Sequence, residues 1–142
     1  MTKLRSWPLL SILLLLLGCA TVPITGRSQL SMIKNSELIP MSFQQYDEVL
    51  KTHELSENNT QAALIKKVGI KIQKAVEAYL EKEGQSKVLN DFEWEFNLIE
   101  DETVNAWCMP GGKVAFYTGI LPVCQGEKGI AVVMGHEIAH AI

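Results

Sequence analysis

The sequence predicts an α+β fold in which helices pack on a small sheet, and three patterns carry that expectation. Apolar residues recur every three or four positions between Gln61 and Glu83, the spacing of a helix with one buried face. From Phe92 the period changes to two, and two further extended stretches flank Pro110-Gly111-Gly112. From about Gln125 the spacing is helical again, up to Ile142.

A chain of 142 residues with 47% apolar and 20% charged residues can bury a core of its own. Part of the apolar content belongs to the N-terminus. Lys3 and Arg5 precede an apolar run from Leu9 to Leu17, followed by Gly18 and Cys19, the plan of a cleaved signal peptide. The run is too short to cross a bilayer, which takes about 20 residues. The expected organisation is therefore residues 1–18 as signal peptide, 19–34 as tether and 35–142 as folded body. Loss of Lys3 and Arg5 would take the formal charge from −3 to −5. With no basic stripe or aromatic platform, nucleic acid is excluded as a partner.

The elements follow in order. Residues 20–33 mix Pro23, Gly26, Thr and Ser, which suits an extended tether. A helix is expected from Asn35 or Ser36 to about Leu55, with Ser36 as cap, Glu37 in the first turn and Pro40 near enough to the start to be tolerated. Ser56 to Thr60 is a polar break. The next helix, from about Gln61 to Glu83, turns Ile65, Val68, Ile72, Val76 and Tyr79 inward and stops at Gly84. Phe92, Trp94, Phe96 and Leu98 alternate with polar residues, a strand with one face buried and one in water. Val104 to Met109 and Lys113 to Thr118 form a hairpin, since Pro110 and Gly111 suit a type II turn. Gly119 to Gln125 reads as a turn-like connection. The final helix carries Ile130, Val133, Met134, Ile138 and Ala141 inward; Gly129 and Gly135 weaken it by roughly 1 kcal/mol each relative to alanine, and close approach of another backbone or of the metal site to the glycine just before His136 would account for that.

Within that helix lies His136-Glu137-Ile138-Ala139-His140, an HExxH motif. Histidines four apart share one helical face and can grip a single Zn²⁺, so His136 and His140 are the expected metal ligands. Glu137 is the expected catalytic residue, placed to take a proton from water at the metal and pass it to a leaving amine. Ordinary composition produces this pentapeptide by chance in on the order of one chain in a few hundred of this length, so it outweighs any other signal here. His53, alone beside Glu54 at a polar helix end, reads as a surface residue. Cys108 and Cys124 form an even pair for which a disulfide is permitted in an oxidising compartment; two buried thiols packing as small apolar groups is the other reading.

Two resemblances extend this. Leu16-Leu17-Gly18-Cys19 resembles the lipobox of bacterial lipoprotein precursors, which implies a lipid on Cys19, and Ala20 implies sorting to the outer membrane of a Gram-negative cell. Asn105-Ala106-Trp107-Cys108-Met109-Pro110-Gly111-Gly112, Tyr117-Thr118-Gly119-Ile120-Leu121 and the HExxH block are similar to the zinc endopeptidases of the CAAX prenyl protease and HtpX-like family. The likeness is to its lipoprotein branch, which shares a Pro-x-Thr-Gly-Arg stretch such as Pro23-Ile24-Thr25-Gly26-Arg27.

That resemblance implies a gluzincin fold with the HExxH helix as one wall of a cleft. It further implies a substrate-contact role for Asn105 and Ala106, polypeptide substrates among misfolded envelope proteins, and a site at the periplasmic face of the outer membrane. The family's third zinc ligand is a glutamate on a later helix, beyond Ile142. The expectation is thus an N-terminal portion of a metallopeptidase, with weak metal affinity and little proteolysis by itself. The competing expectation is a non-catalytic envelope lipoprotein that binds or scaffolds at the membrane.

Overall fold

The computed structural model describes Cys19–Thr21, Ser28–Leu30 and residues 35–142 of the chain. The chain divides into two units at Lys34 and Asn35. In the first, β1 (Cys19–Thr21) pairs antiparallel with β2 (Ser28–Leu30), Cys19 opposite Leu30, so these stretches form a two-stranded ribbon where a plain extended tether was expected. The signal-peptide expectation, residues 1–18, lies outside the described residues, as does the side chain of Cys19.

The second unit is α+β. Helix α1 (Asn35–Thr52) buries Ile39, Ser42 and Tyr46, one side at spacings of three and four. It stops three residues before the expected Leu55, because the chain leaves the helix to pair with the sheet. Ser56 N–H donates to Leu98 O at 2.9 Å, Glu100 N–H donates to Glu54 O at 2.8 Å, and Leu55 bridges Ile99. Helix α2 (Asn59–Lys82) is capped by Asn58, whose side-chain oxygen accepts from Gln61 N–H at 3.1 Å. Its inward stripe ends on Leu80; Tyr79, expected inward, is 46% exposed. Gly69 lets the Phe96 ring lie against the α2 backbone, where a Cβ would collide with it.

The sheet has the order β3-β5-β4, with β3 (Glu95–Ile99) parallel to β5 (Lys113–Tyr117) and β4 (Ala106–Met109) antiparallel to it. Phe92 and Trp94 precede the strand they were expected to join, with ring centroids 5.2 Å apart. The expected hairpin is present. Gly112 N–H donates to Met109 O at 3.2 Å and Gly111 has φ +92°, the type II geometry that favours glycine at this position.

Neither face of the sheet is left to water. Phe96, Leu98, Val114 and Phe116 share the main core with Ile65 and Val68 of α2 and with Ile130, Met134 and Ile138 of the last helix. On the other face Ile99 and Ala115 pack with Tyr46 of α1. Tyr46 O–H donates to Val114 O at 3.2 Å, and Asn97 Nδ2 donates to Tyr46 Oη at 3.0 Å and to Glu95 Oε1 at 2.7 Å. Lys113, nearly buried, is held 3.3 Å from Glu95 Oε2 and 4.7 Å above the Phe43 ring. The expected wet face is thus covered by a helix about fifty residues earlier in the chain, which alternation along one strand cannot reveal.

Thr118–Ile120 forms a 3₁₀ turn and α3 (Leu121–Cys124) a single helical turn, so the connection is more ordered than expected. Helix α4 (Glu127–Ala141) follows. Glu127 at its start accepts from Lys67 Nζ at 2.8 Å and Lys71 Nζ at 2.6 Å, tying it to α2. Burial of Ile130, Met134 and Ile138, each worth about 1.5–3 kcal/mol, fixes which side of α4 faces the core.

Candidate metal centre

Because each helical residue turns 100°, His136 lies two residues, or 200°, beyond the buried Met134, and His140 repeats that position one turn on. Core packing therefore places both imidazoles on the outer side of α4, and both are exposed. They converge: Nε2 of His136 and Nε2 of His140 are 3.1 Å apart, with the rings nearly perpendicular and their centroids 4.6 Å apart. Two Zn–N bonds of about 2.0–2.1 Å at a tetrahedral angle put their nitrogens about 3.3 Å apart, so the pair fits two corners of a zinc site. Among the described residues no three His, Cys, Asp or Glu side chains come together as a metal-holding group. Glu137 therefore stands beside the pair rather than completing it.

Glu137 is half-buried, on the flank of α4 toward β4. Its carboxylate acts on the Cys108 thiol, which burial first and this charge second push up to about 12. Cys108 and Cys124 are both free thiols packed in the main core, so the disulfide allowed by their number is not formed. Even parity reports nothing about the separation of two side chains, and their second reading, as small apolar groups, describes these positions.

Asn105 and Ala106 enter β4, which is an edge strand packed on α4. Asn105 is exposed, and its carbonyl accepts from Tyr117 N–H at 3.1 Å. With that bond fixed, antiparallel register makes Trp107 and Met109 bond to β5 as well, so the N–H and C=O of Ala106 and Cys108 point away from the sheet. The opposite edge, on β3, is covered by Glu54–Ser56. The outward backbone groups of Ala106, a position the resemblance singled out, recur two residues on at Cys108. Side chains alternate too: Ala106 and Cys108 pack on the α4 side, Trp107 and Met109 on the α1 side. His53, expected at the surface, is half-buried, with its Nδ1 3.0 Å from Val49 O, and takes no part in the centre.

The sequence profile of Peptidase family M48 matches residues 66–142. Among similar proteins, the mitochondrial metalloendopeptidase OMA1 of Schizosaccharomyces pombe is 50% identical over 54 residues, 38% of this chain and 16% of its own length. The human mitochondrial metalloendopeptidase OMA1 is 26% identical over 142 residues, 98% of this chain and 26% of its own. A protease of Vibrio cholerae is 44% identical over 45 residues, 32% of this chain and 9% of its own. The chain spans about a quarter or less of the length of these relatives.

The matches correct one expectation. Placement at the periplasmic face of a Gram-negative outer membrane is overturned, since the human relative, aligned across almost the whole chain, is mitochondrial by name. A basic start and a short apolar run are a local pattern, too brief to fix an address by themselves.

Proposed function

The chain belongs to Peptidase family M48, and from that premise we propose that it carries the metal-ligating pair, the general base and the substrate-pairing strand of a zinc metalloendopeptidase. The observation that carries this reading is the convergence of His136 Nε2 and His140 Nε2 to 3.1 Å, with Glu137 beside them.

In this reading the two imidazoles hold zinc, which when bound supplies Lewis acidity to the scissile carbonyl and lowers the pKa of the attacking water. Glu137 accepts the proton of that water and returns it to the departing amine, so the base of the first half-reaction is the acid of the second. Its half-buried position against β4 limits the orientations the carboxylate samples. The outward N–H and C=O groups of Ala106 and Cys108 pair with an extended main chain, and Asn105 lies at the entry to that edge. A pairing made through main-chain atoms takes any polypeptide that can present an extended segment, so the substrate class is unfolded or loosely held chain.

Zinc stoichiometry and cleavage of unfolded casein by the purified full-length protein test this. Glu137→Gln is expected to keep zinc and lose cleavage, and His136→Ala or His140→Ala to lose both. Zinc retained at full stoichiometry in both histidine variants would refute the assignment.

A further inference from the structure

Helix α1 carries a second stripe that its packing on the sheet does not use. Met41, Gln44, Gln45 and Glu48 follow one another at spacings of three, one and three, on the side away from Ile39, Ser42 and Tyr46, and the half-buried Val49, packed against the Tyr46 cluster, flanks them. Together with Met109 of β4 they line a groove of about 480 Å³. Met41 is 52% exposed, an unusual position for a large apolar side chain on an otherwise polar stripe. The carboxylate of Glu48 is held by Lys51 Nζ at 2.8 Å, which offsets the groove's one charge.

We propose that this groove is a subsite for a substrate side chain, and that it selects a large apolar residue on the face of the bound strand turned away from His136 and His140. The inference deepens the peptidase reading above and rests on it. A strand added to the β4 edge must send its side chains alternately to the two faces of the sheet. On one face they stand beside Ala106 and Cys108, toward α4 and Glu137. On the other they stand beside Trp107 and Met109, toward α1. Met109 belongs both to the edge strand and to the groove wall, so the groove is continuous with the edge that takes the main chain.

Main-chain pairing alone cannot distinguish sequences; selection has to come from alternate side chains, and this groove opens on that face of β4. The unbranched methionines at two of its walls can repack around leucine, methionine or phenylalanine. Removing methylenes from the side chain that fills an apolar pocket lowers kcat/KM by about ten- to two-hundredfold.

The test is a profile of kcat/KM on a peptide library with the zinc-loaded full-length protein, Met41→Glu and Val49→Ala, with thermal unfolding run on each to establish that both changes leave the fold intact. The unaltered protein is expected to favour a large apolar residue over alanine at least tenfold at one substrate position. Met41→Glu should abolish that preference and favour Lys or Arg there, and Val49→Ala should flatten it, while preferences at other positions stay unchanged. Cleavage with identical profiles in all three proteins would overturn the subsite and leave the peptidase reading standing. Failure of the unaltered zinc-loaded full-length protein to cleave any peptide would overturn both.

Discussion

Two glycines in α4 invite opposite outcomes from the same substitution. At Gly129 an added Cβ would collide with the backbone carbonyl of Cys124, whereas at Gly135 nothing among the described residues lies within 4 Å of it. The sequence suggested close approach at the glycine just before His136, and the structure grants it to Gly129 instead. Gly135→Ala is therefore expected to stabilise by about 1 kcal/mol, the helix-propensity difference, with no steric cost. In a domain of about a hundred residues that raises Tm by about 4 °C. Gly129→Ala gains the same propensity but forces a backbone atom aside, and an overpacking cost near 3 kcal/mol leaves it about 2 kcal/mol less stable. The variants have identical composition, so urea and thermal unfolding should separate them by about 3 kcal/mol through position alone. The displaced joint between α3 and α4 should also weaken zinc binding in Gly129→Ala and leave it unchanged in Gly135→Ala. Equal shifts of the same sign would refute the argument from close approach.

Other consequences can be checked on the same protein. Glu127 is held down to about 2 by hydrogen bonds from Lys67 and then Lys71, against an ordinary value of 4.5. A depressed carboxylate contributes stability above its unfolded pKa and loses it as pH falls toward the folded one, so the contribution should fade between about pH 4.5 and 2. Unfolding midpoints of Glu127→Gln should lack that part of the acid slope, and added salt should shrink the difference, the side chains being exposed. Tyr46→Phe is expected to cost about 1 kcal/mol in urea unfolding, through loss of the bonds to Val114 O and from Asn97. With its thiol raised to about 12, native Cys108 should alkylate at pH 8 on the order of 10³ times more slowly than an ordinary thiol, and mass spectrometry after timed iodoacetamide exposure reads the rate.

What the sequence made legible was local. Helix α2, the Pro110-Gly111 turn and α4 each depend on spacings within a few residues, and so does the meeting of His136 and His140 four apart. The order β3-β5-β4 was hidden, because parallel pairing of Glu95–Ile99 with Lys113–Tyr117 skips the strand between them and leaves no short-range mark. The cover given by α1 was hidden for the same reason: Tyr46 meets Val114 across 68 positions of chain. The outward groups of Ala106 and Cys108 fall between these cases, since a period of two yields them once one cross-strand bond is known. Counting cysteines suggested a bridge that the free thiols at Cys108 and Cys124 do not make, because number constrains partners and geometry chooses them.

The late arrival of the middle strand sets a timetable for synthesis. While the ribosome delivers the chain from its N-terminus, Glu95–Ile99 can bond only to Glu54–Ser56, and Ala106–Met109 has no strand to pair with, until Lys113–Tyr117 emerges to join both. Helix α4 emerges after that, so the histidine pair appears only once the support beneath it can assemble, and a nascent chain stalled before Lys113 would offer one open edge of Glu95–Ile99 and both edges of Ala106–Met109 to its neighbours.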